Sequence, residues 1–401
     1  MAFEEKSLKD YYFLRRWESF SIDPWKDREV YFGEAELLKR ISDRINSDFV
    51  KRRSVPKFFL HGAYGSGKTH SLAHIAYTLE TNMMYRSEPI YFAMPPLTSK
   101  ESWLRIHTKF IDSIGPDRIR SSVEIMADKI PGTDKVRGLL DLGVLPYGDD
   151  TMKVSQANVL RNFLFGGHQS QLSWEWMKGR KNSPDQAAVL GIHKDITEAT
   201  DLINCLLNLG SLYYAAHSKK LVFLIDEAEA VRSVTNADSQ RVLQHMFRDL
   251  FDDDNRYVGL ILAIQAEGGM EAIGDFFTRE DIFRRLDFAQ GYIDLTAMVS
   301  EVTSAEQFMR RVLAYLIDQE KAESTIVGEK LSAPKETFPF DEASIKTIAT
   351  HIADKPEWAS PAFILSTMGS AAVEAWRRRG ESDKHVVVNT DIVEATIYPE
   401  G

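Results

Sequence analysis

The sequence predicts an α/β fold, a parallel sheet layered between helices, and three stretches carry the prediction. Residues Gly62 to Thr69 read GAYGSGKT and stand between the apolar run Lys57-Phe58-Phe59-Leu60 and the helical pattern His70 to Leu79. Leu221 to Glu227 read LVFLIDE, an apolar run closed by two acids, and Val258 to Ile264 form a third apolar run behind a helical segment, Gln240 to Phe251. Continuous apolar runs closed by polar residues suit strands buried on both faces, the condition of a parallel sheet.

The octet comes first. It has the form G-x-x-x-x-G-K-[ST] and follows a strand and precedes a helix, the context in which such a loop cradles phosphate. Across Gly62, Ala63, Tyr64, Gly65, Ser66 and Gly67 the backbone N–H groups converge on phosphate oxygens. Lys68 then reaches the β- and γ-phosphates, and the Thr69 hydroxyl holds Mg²⁺ at the helix N-terminus, with His70 following in the same nucleotide-binding set. Leu72, Ile75, Ala76 and Leu79 recur at helical spacing behind the loop. The chain is therefore expected to bind ATP with Mg²⁺.

The acids of LVFLIDE supply the second half of such a site. Asp226, at the strand end, orients the hydration shell of the metal, and Glu227 polarises a water for in-line attack on the γ-phosphate. Gln265 closes the third run, where an open α/β sheet presents ligand-contacting residues. Beyond it, Asp281 to Leu286 reads as a short helix carrying Arg284 and Arg285, before the strand-like Gly291 to Leu295. Either arginine is a candidate to neutralise transition-state charge on a neighbouring subunit's γ-phosphate.

Bulk properties bound the alternatives. At 401 residues the chain suits two units, or one module with a large insertion, and its 44% hydrophobic and 11% aromatic content is that of an ordinary globular protein. No stretch of 18 apolar residues and no signal-peptide core between Met1 and Phe20 is present, so a cytoplasmic protein without a membrane partner is expected. The net charge of −10 argues against a surface that grips nucleic acid throughout. Three local basic clusters, Lys51-Arg52-Arg53, Lys178 with Arg180 and Lys181, and Arg377-Arg378-Arg379, leave DNA as a candidate partner. The single cysteine, Cys205, lies among Leu202, Leu206 and Leu209 and reads as a buried thiol. The histidines form no H-E-x-x-H pair and no G-x-S-x-G elbow precedes a plausible base, so nuclease, protease or deaminase chemistry would have to come from another chain.

Together these elements resemble the AAA+ ATPases, with LVFLIDE as Walker B, Gln265 as sensor 1 and Arg284-Arg285 as the finger region. The resemblance implies a P-loop NTPase three-layer αβα core with a five-stranded parallel sheet, a large mainly helical insertion and a C-terminal helical lid. It also implies ATP-dependent homo-oligomers, rings or filaments, whose active sites are shared between subunits. The domains expected are a lead-in over 1–55, an ATPase core over 56–298 with the insertion at about 94–219, and a lid over 299–401, with Val302 to Gln319, Pro361 to Arg379 and Val386 to Thr396 as lid segments. Asp23-Pro24-Trp25 and Tyr31-Phe32-Gly33-Glu34 resemble the lead-in that borders adenine. Glutamine at sensor 1, and alanine in Ser360-Pro361-Ala362 where relatives carry an arginine, depart from the family and point to slow hydrolysis.

Roughly 125 residues separate the strand Ile90 to Ala93 from Leu221, where a crossover needs only about a dozen. This insertion reads as the loop-rich Pro131 to Asp150, a helix from Gln156 to Phe165, the segment Trp174 to Arg180, and a helix from Ile196 to His217. With its W-x-W-x-x-G element it is similar to ATP-binding proteins of bacterial phage-defence systems of the BREX type. Trp174 and Trp176 are candidates for stacking on bases, for anchoring a partner, or for a small core of the insertion's own. The expectation is an ATPase acting in a DNA-linked process such as anti-phage defence or mobile-element control, together with a separate effector protein. The alternative is a nucleotide-gated scaffold that regulates such an effector without nucleic acid. A remodelling unfoldase is disfavoured because Met94-Pro95-Pro96-Leu97 stands where a pore loop is expected.

Overall fold

The structure, a computed structural model, describes residues 7–16, 19–97, 101–196, 198–266, 277, 280–286, 291–355, 358–380 and 384–397. Parts of the expected lead-in (1–6, 17–18), Thr197 at the start of an expected helix, and the last residues of the expected lid (398–401) lie outside these. The chain divides into two compact units. One comprises Ile41–His61 and Ile75–Ile293, the other Met1–Arg40, Gly62–His74 and Asp294–Gly401.

The first unit is built on a five-stranded sheet in the order β2-β3-β4-β1-β5, all parallel, with helices on both sides. The strands are β1 (Lys57–Gly62), β2 (Ser87–Ala93), β3 (Lys220–Asp226), β4 (Val258–Gln265) and β5 (Tyr292–Asp294). In register, β3 runs beside β2 from Ser87↔Lys220 to Ala93↔Asp226 and beside β4 from Leu221↔Val258 to Ile225↔Leu262. Every residue of β1 is buried, as are Leu221 to Asp226 of β3, which explains why their sequences are unbroken apolar runs rather than alternating ones. Lys57 and His61 are the polar exceptions in β1, and the Lys57 ammonium donates to the carbonyls of Asp252 and Asn255.

Between β2 and β3 the described residues form seven helices, from Ser102–Ile114 to Ala199–His217. They share one hydrophobic core with the sheet rather than enclosing a separate one. Phe110, from the first of them, meets Phe223 of β3 edge-on at 4.7 Å between ring centroids, and Phe92 of β2 at 5.3 Å. Gly115 (φ 83°) turns the chain directly into the helix Pro116–Lys129, whose proline occupies the first turn. The helix Ala199–His217 spends nearly all of its length inside this core, and Cys205 is fully buried there, its thiol pushed up by burial. The insertion is thus a layer of the fold.

Two expectations change here. The stretch Pro131 to Asp150, expected to be loop-rich, also holds the helix Lys135–Asp141, capped by Asp134 accepting from the Arg137 N–H. The segment Trp174 to Arg180, read as an element ahead of a helix, is mostly helical itself, since Gly167–Met177 is one helix. Trp176 is wholly buried, with its indole N–H donating to the Lys194 carbonyl at 3.3 Å, so of the roles expected for it only the core one remains.

The second unit is largely helical. Val302–Leu316, Gln319–Glu329, Glu342–Ala353, Pro361–Arg378 and Thr390–Ile397 form its C-terminal part. Tyr11 and Tyr12 of the N-terminal segment pack there, their hydroxyls donating to the carbonyls of Lys384 and Val386. No helix among the described residues is long and apolar enough to cross a membrane.

Candidate functional site

The phosphate loop leaves the carboxyl end of β1 at Gly62, and the helix Lys68–Thr81 begins within the motif. Gly65 (φ 76°) and Gly67 (φ 87°) take left-handed conformations that favour glycine, and the loop closes by a Ser66 N–H to Ala63 carbonyl bond of 3.3 Å. Gly62 is equally constrained, because a Cβ there would meet the Ser66 Oγ at 2.6 Å. Lys68 folds back on this loop, its ammonium donating to the carbonyls of Gly62 at 3.0 Å and Ala63 at 2.8 Å. Thr69 stands next, in the first turn of that helix. These residues fit a phosphate chain and its metal: a glycine cradle, one ammonium and one hydroxyl, with no crowd of carboxylates.

A contact that the sequence did not signal sits on the loop. The N–H of Ala362, in the first turn of Pro361–Arg378, donates to the Gly65 carbonyl at 3.3 Å. A Cβ at Gly65 would lie 2.8 Å from the Ala362 Cβ and 3.1 Å from the Ser360 Oγ. Ser360 is the N-cap of that helix, accepting from the Phe363 N–H at 3.2 Å. Ala362, itself exposed, therefore borders the phosphate loop, and the close approach of the two segments is met by glycine at position 65.

The lead-in is bolted to the same helix that follows the loop. His70 donates from Nε2 to the Val30 carbonyl at 2.8 Å, and His74, one turn on, donates from Nδ1 to the Arg28 carbonyl at 2.9 Å. Burial pushes both imidazoles below their ordinary range, which keeps them neutral. The side chain of His70 is thus engaged by the lead-in. Phe32 is buried against the rings of His70 and Tyr315, at 5.3 Å from each, and Tyr31 lies 5.3 Å from His74, so both aromatic rings already have packing partners. Arg311, from Val302–Leu316, donates to the carbonyls of Phe32 and Gly33.

In the sheet-bearing unit, Asp226 is buried at the carboxyl end of β3 and accepts from the Tyr91 hydroxyl at 3.3 Å, while its own carbonyl accepts from the Met94 N–H. Glu227 is exposed and turns the chain with φ 55°, its N–H donating to the Asp226 Oδ1 at 3.0 Å. A non-glycine residue in this conformation is strained by order 1–3 kcal/mol, strain of the kind that collects at functional sites. Gln265 ends β4, two strands from β2 and next to both β3 and β1, and its N–H donates to the Glu229 Oε2 at 2.8 Å. Glu229 and Tyr91 had no motif to flag them.

Arg284 and Arg285 lie elsewhere. Arg285 pairs through Nε with Asp252 at 3.1 Å, and Asp252, with Asn255, also receives Lys57 from the first residue of β1. Both arginines therefore belong to the amino-end edge of the parallel strands, whereas Gly62, Asp226 and Gln265 belong to the carboxyl-end edge. At about 3.3 Å per residue, a six- or seven-residue strand separates the two edges by roughly 20 Å. With Arg44, Arg52, Arg53, Lys57 and Arg256, the two arginines line a cavity of about 730 Å³.

No model of a known protein family matches this chain, and no curated protein matches it. Two solved structures resemble it in fold. The Orc1 protein of Aeropyrum pernix, in a complex with DNA, is 13% identical, with a TM-score of 0.40, and the match covers 94% of this chain and 68% of that one. A Walker-type ATPase of Pyrococcus abyssi is 14% identical, with a TM-score of 0.40, covering 94% of this chain and 75% of its own. Likenesses this distant carry no argument about function, and neither of these two bears on the expected kinship with phage-defence proteins.

Proposed function

We propose that this chain is an AAA+ ATPase whose nucleotide state sets its assembly with further copies of itself. The observation that carries the reading is the phosphate loop itself, GAYGSGKT with Gly65 and Gly67 in left-handed conformations and Lys68 folded onto it, and the sheet-bearing unit adds Asp226 and Glu227 at the carboxyl end of β3. Parallel α/β sheets bind ligands at that edge. In this reading Gly62 to Gly67 present N–H groups to the phosphates, and Lys68 leaves its two carbonyl partners for the γ-phosphate. Thr69 and Asp226 hold Mg²⁺, which supplies charge neutralisation when bound. Glu227 takes the proton of the attacking water, and Gln265 orients that water.

Within the sheet-bearing unit Arg284 and Arg285 belong to the amino-end edge and Asp226 to the carboxyl-end edge, so a service to a γ-phosphate is read as one to a neighbour's nucleotide. This supports sites completed in trans. The link to DNA draws less support, because some members of each basic cluster are paired within the chain. Lys178 pairs with Asp112 and Glu175, Arg180 with Glu175, and Arg378 with Glu374. That pattern favours the second reading of the role, a nucleotide-gated scaffold acting on a partner protein, over a DNA-linked process such as defence.

Mass photometry with ADP, with ATP and with a slowly hydrolysed analogue, each with and without duplex DNA, tests both. Growth with ATP that is lost in Lys68→Ala is the expected result. A mass that ignores nucleotide overturns the assembly reading, and growth strengthened by DNA restores the DNA-linked one.

A further inference from the structure

The cavity at the amino-end edge has an unusual charge. Seven of its lining residues are cations and two, Asp48 and Asp253, are acids. Asp48 is already taken, held by buried Arg44 at 3.0 Å and by Arg52 at 3.6 Å. Arg44 is fixed further by donating to the Lys57 carbonyl at 3.0 Å. Lys57 itself is buried, and burial pushes its ammonium down to about 8. Arg285 keeps its pair with Asp252, and cations still outnumber acids along the lining, a surplus that attracts a multiply charged anion.

We propose that this cavity is a binding site for a polyphosphate anion, separate from the phosphate loop, with Arg53 and Arg256 at its mouth and Arg44 and Lys57 on its wall. Both mouth residues are exposed. The exposed guanidinium forks of Arg53 and Arg256 match phosphate oxygens two at a time, while Arg44 and Lys57, each already hydrogen-bonded within the chain, add positive charge behind them. No aromatic ring lines the cavity and Val55 is its only large apolar side chain, so the site reads phosphate groups and offers nothing for a base to stack on. Its volume of about 730 Å³ accommodates a di- or triphosphate.

The ligand chemistry has two sources, a free polyphosphate or the phosphate tail of a nucleotide held by a second copy. The proposal overlaps the preceding reading at Arg284 and Arg285 and is therefore tested at Arg53 and Arg256, which that reading does not use. Calorimetric titration of sodium tripolyphosphate into Lys68→Ala protein removes the phosphate loop from the measurement. One-to-one binding is expected, weakening steeply as salt rises. Arg53→Asn with Arg256→Gln, the first chosen because Arg53 has φ 51°, should weaken it at least tenfold while MgATP binding to the otherwise unaltered chain stays within twofold. Sedimentation separates the sources: a monomer that binds tripolyphosphate takes the free anion, and binding seen only in a dimer points to the tail presented by a second copy. Absence of binding in Lys68→Ala, binding indifferent to the two mouth substitutions, or displacement of tripolyphosphate by duplex DNA at lower phosphate concentration each overturns the proposal. Failure of ATP-dependent assembly leaves this result standing, so the two readings fail separately.

Discussion

Glu227 occupies a backbone conformation that its side chain makes unfavourable, and it does so directly after the last buried residue of β3. The strain is consistent with selection for where its carboxylate points. Replacing Glu227 by Gln should leave ATP affinity within about twofold and reduce turnover on the order of a hundredfold or more, read by single-turnover hydrolysis, as expected for loss of a general base. Lys68→Ala should act differently, weakening ATP itself by roughly ten- to a hundredfold in a binding titration, the worth of a charge-assisted hydrogen bond. A third residue reports on the fold. His107 is buried, donates to the Met177 carbonyl at 2.7 Å, and is lowered by burial from 6.5 to about 4. Its neutral form is the one that folds, so its contribution is whole above pH 6.5 and fades as the pH falls toward 4. The loss amounts to about 3 kcal/mol. In urea unfolding, the stability gap between the parent and His107→Gln should close by that amount over this pH range.

At the scale of elements, sequence pattern and structure agree where one principle governs a segment. The strands β1, β3 and β4 are apolar runs because both faces are covered, and the helix behind the loop shows its buried face in Leu72, Ile75, Ala76 and Leu79. The helix Lys135–Asp141 stayed hidden because it is short, has one fully buried side chain, Leu139, and stands among glycine, proline and aspartate, which are turn signals. The role of the insertion was equally illegible. Its length suggests an appended body, whereas the packing of Phe110 on Phe92 and Phe223 makes it a wall of the core. Phe110→Ala should therefore cost about 3–5 kcal/mol in denaturant unfolding, in a single transition with unchanged cooperativity. A separate early transition would show that the insertion folds on its own.

For the whole molecule, the motifs of the site were legible because phosphate chemistry fixes spacing along the chain, and Gly62 to Thr69 and LVFLIDE are contiguous. The contacts between distant segments were not. Nothing in the sequence joins Ala362 to Gly65, or Arg44 to Lys57, Arg256 and Arg284. The opposed edges of the sheet yield a prediction at this scale. If the sites are composite, Lys68→Ala chains and Arg284→Ala, Arg285→Ala chains are each inactive alone, and mixing them restores measurable hydrolysis, because some junctions then join an intact loop to intact arginines. No recovery on mixing, with assembly verified by light scattering, would rule the composite site out.

The hydrogen bond between Ala362 and Gly65 has a mechanical consequence. The helix that begins at Pro361 runs without interruption to Arg378, and at 1.5 Å per residue its 18 residues make a rod of roughly 27 Å. At its far end Arg379 lies over the rings of Tyr11 and Trp376, at 5.2 Å and 4.8 Å. Buried residues from Pro361 to Ala375 hold the rod along one side, so it moves as a unit. A displacement of the loop at Gly65 would therefore be carried through Pro361–Arg378 to the neighbourhood of Tyr11, in the N-terminal segment.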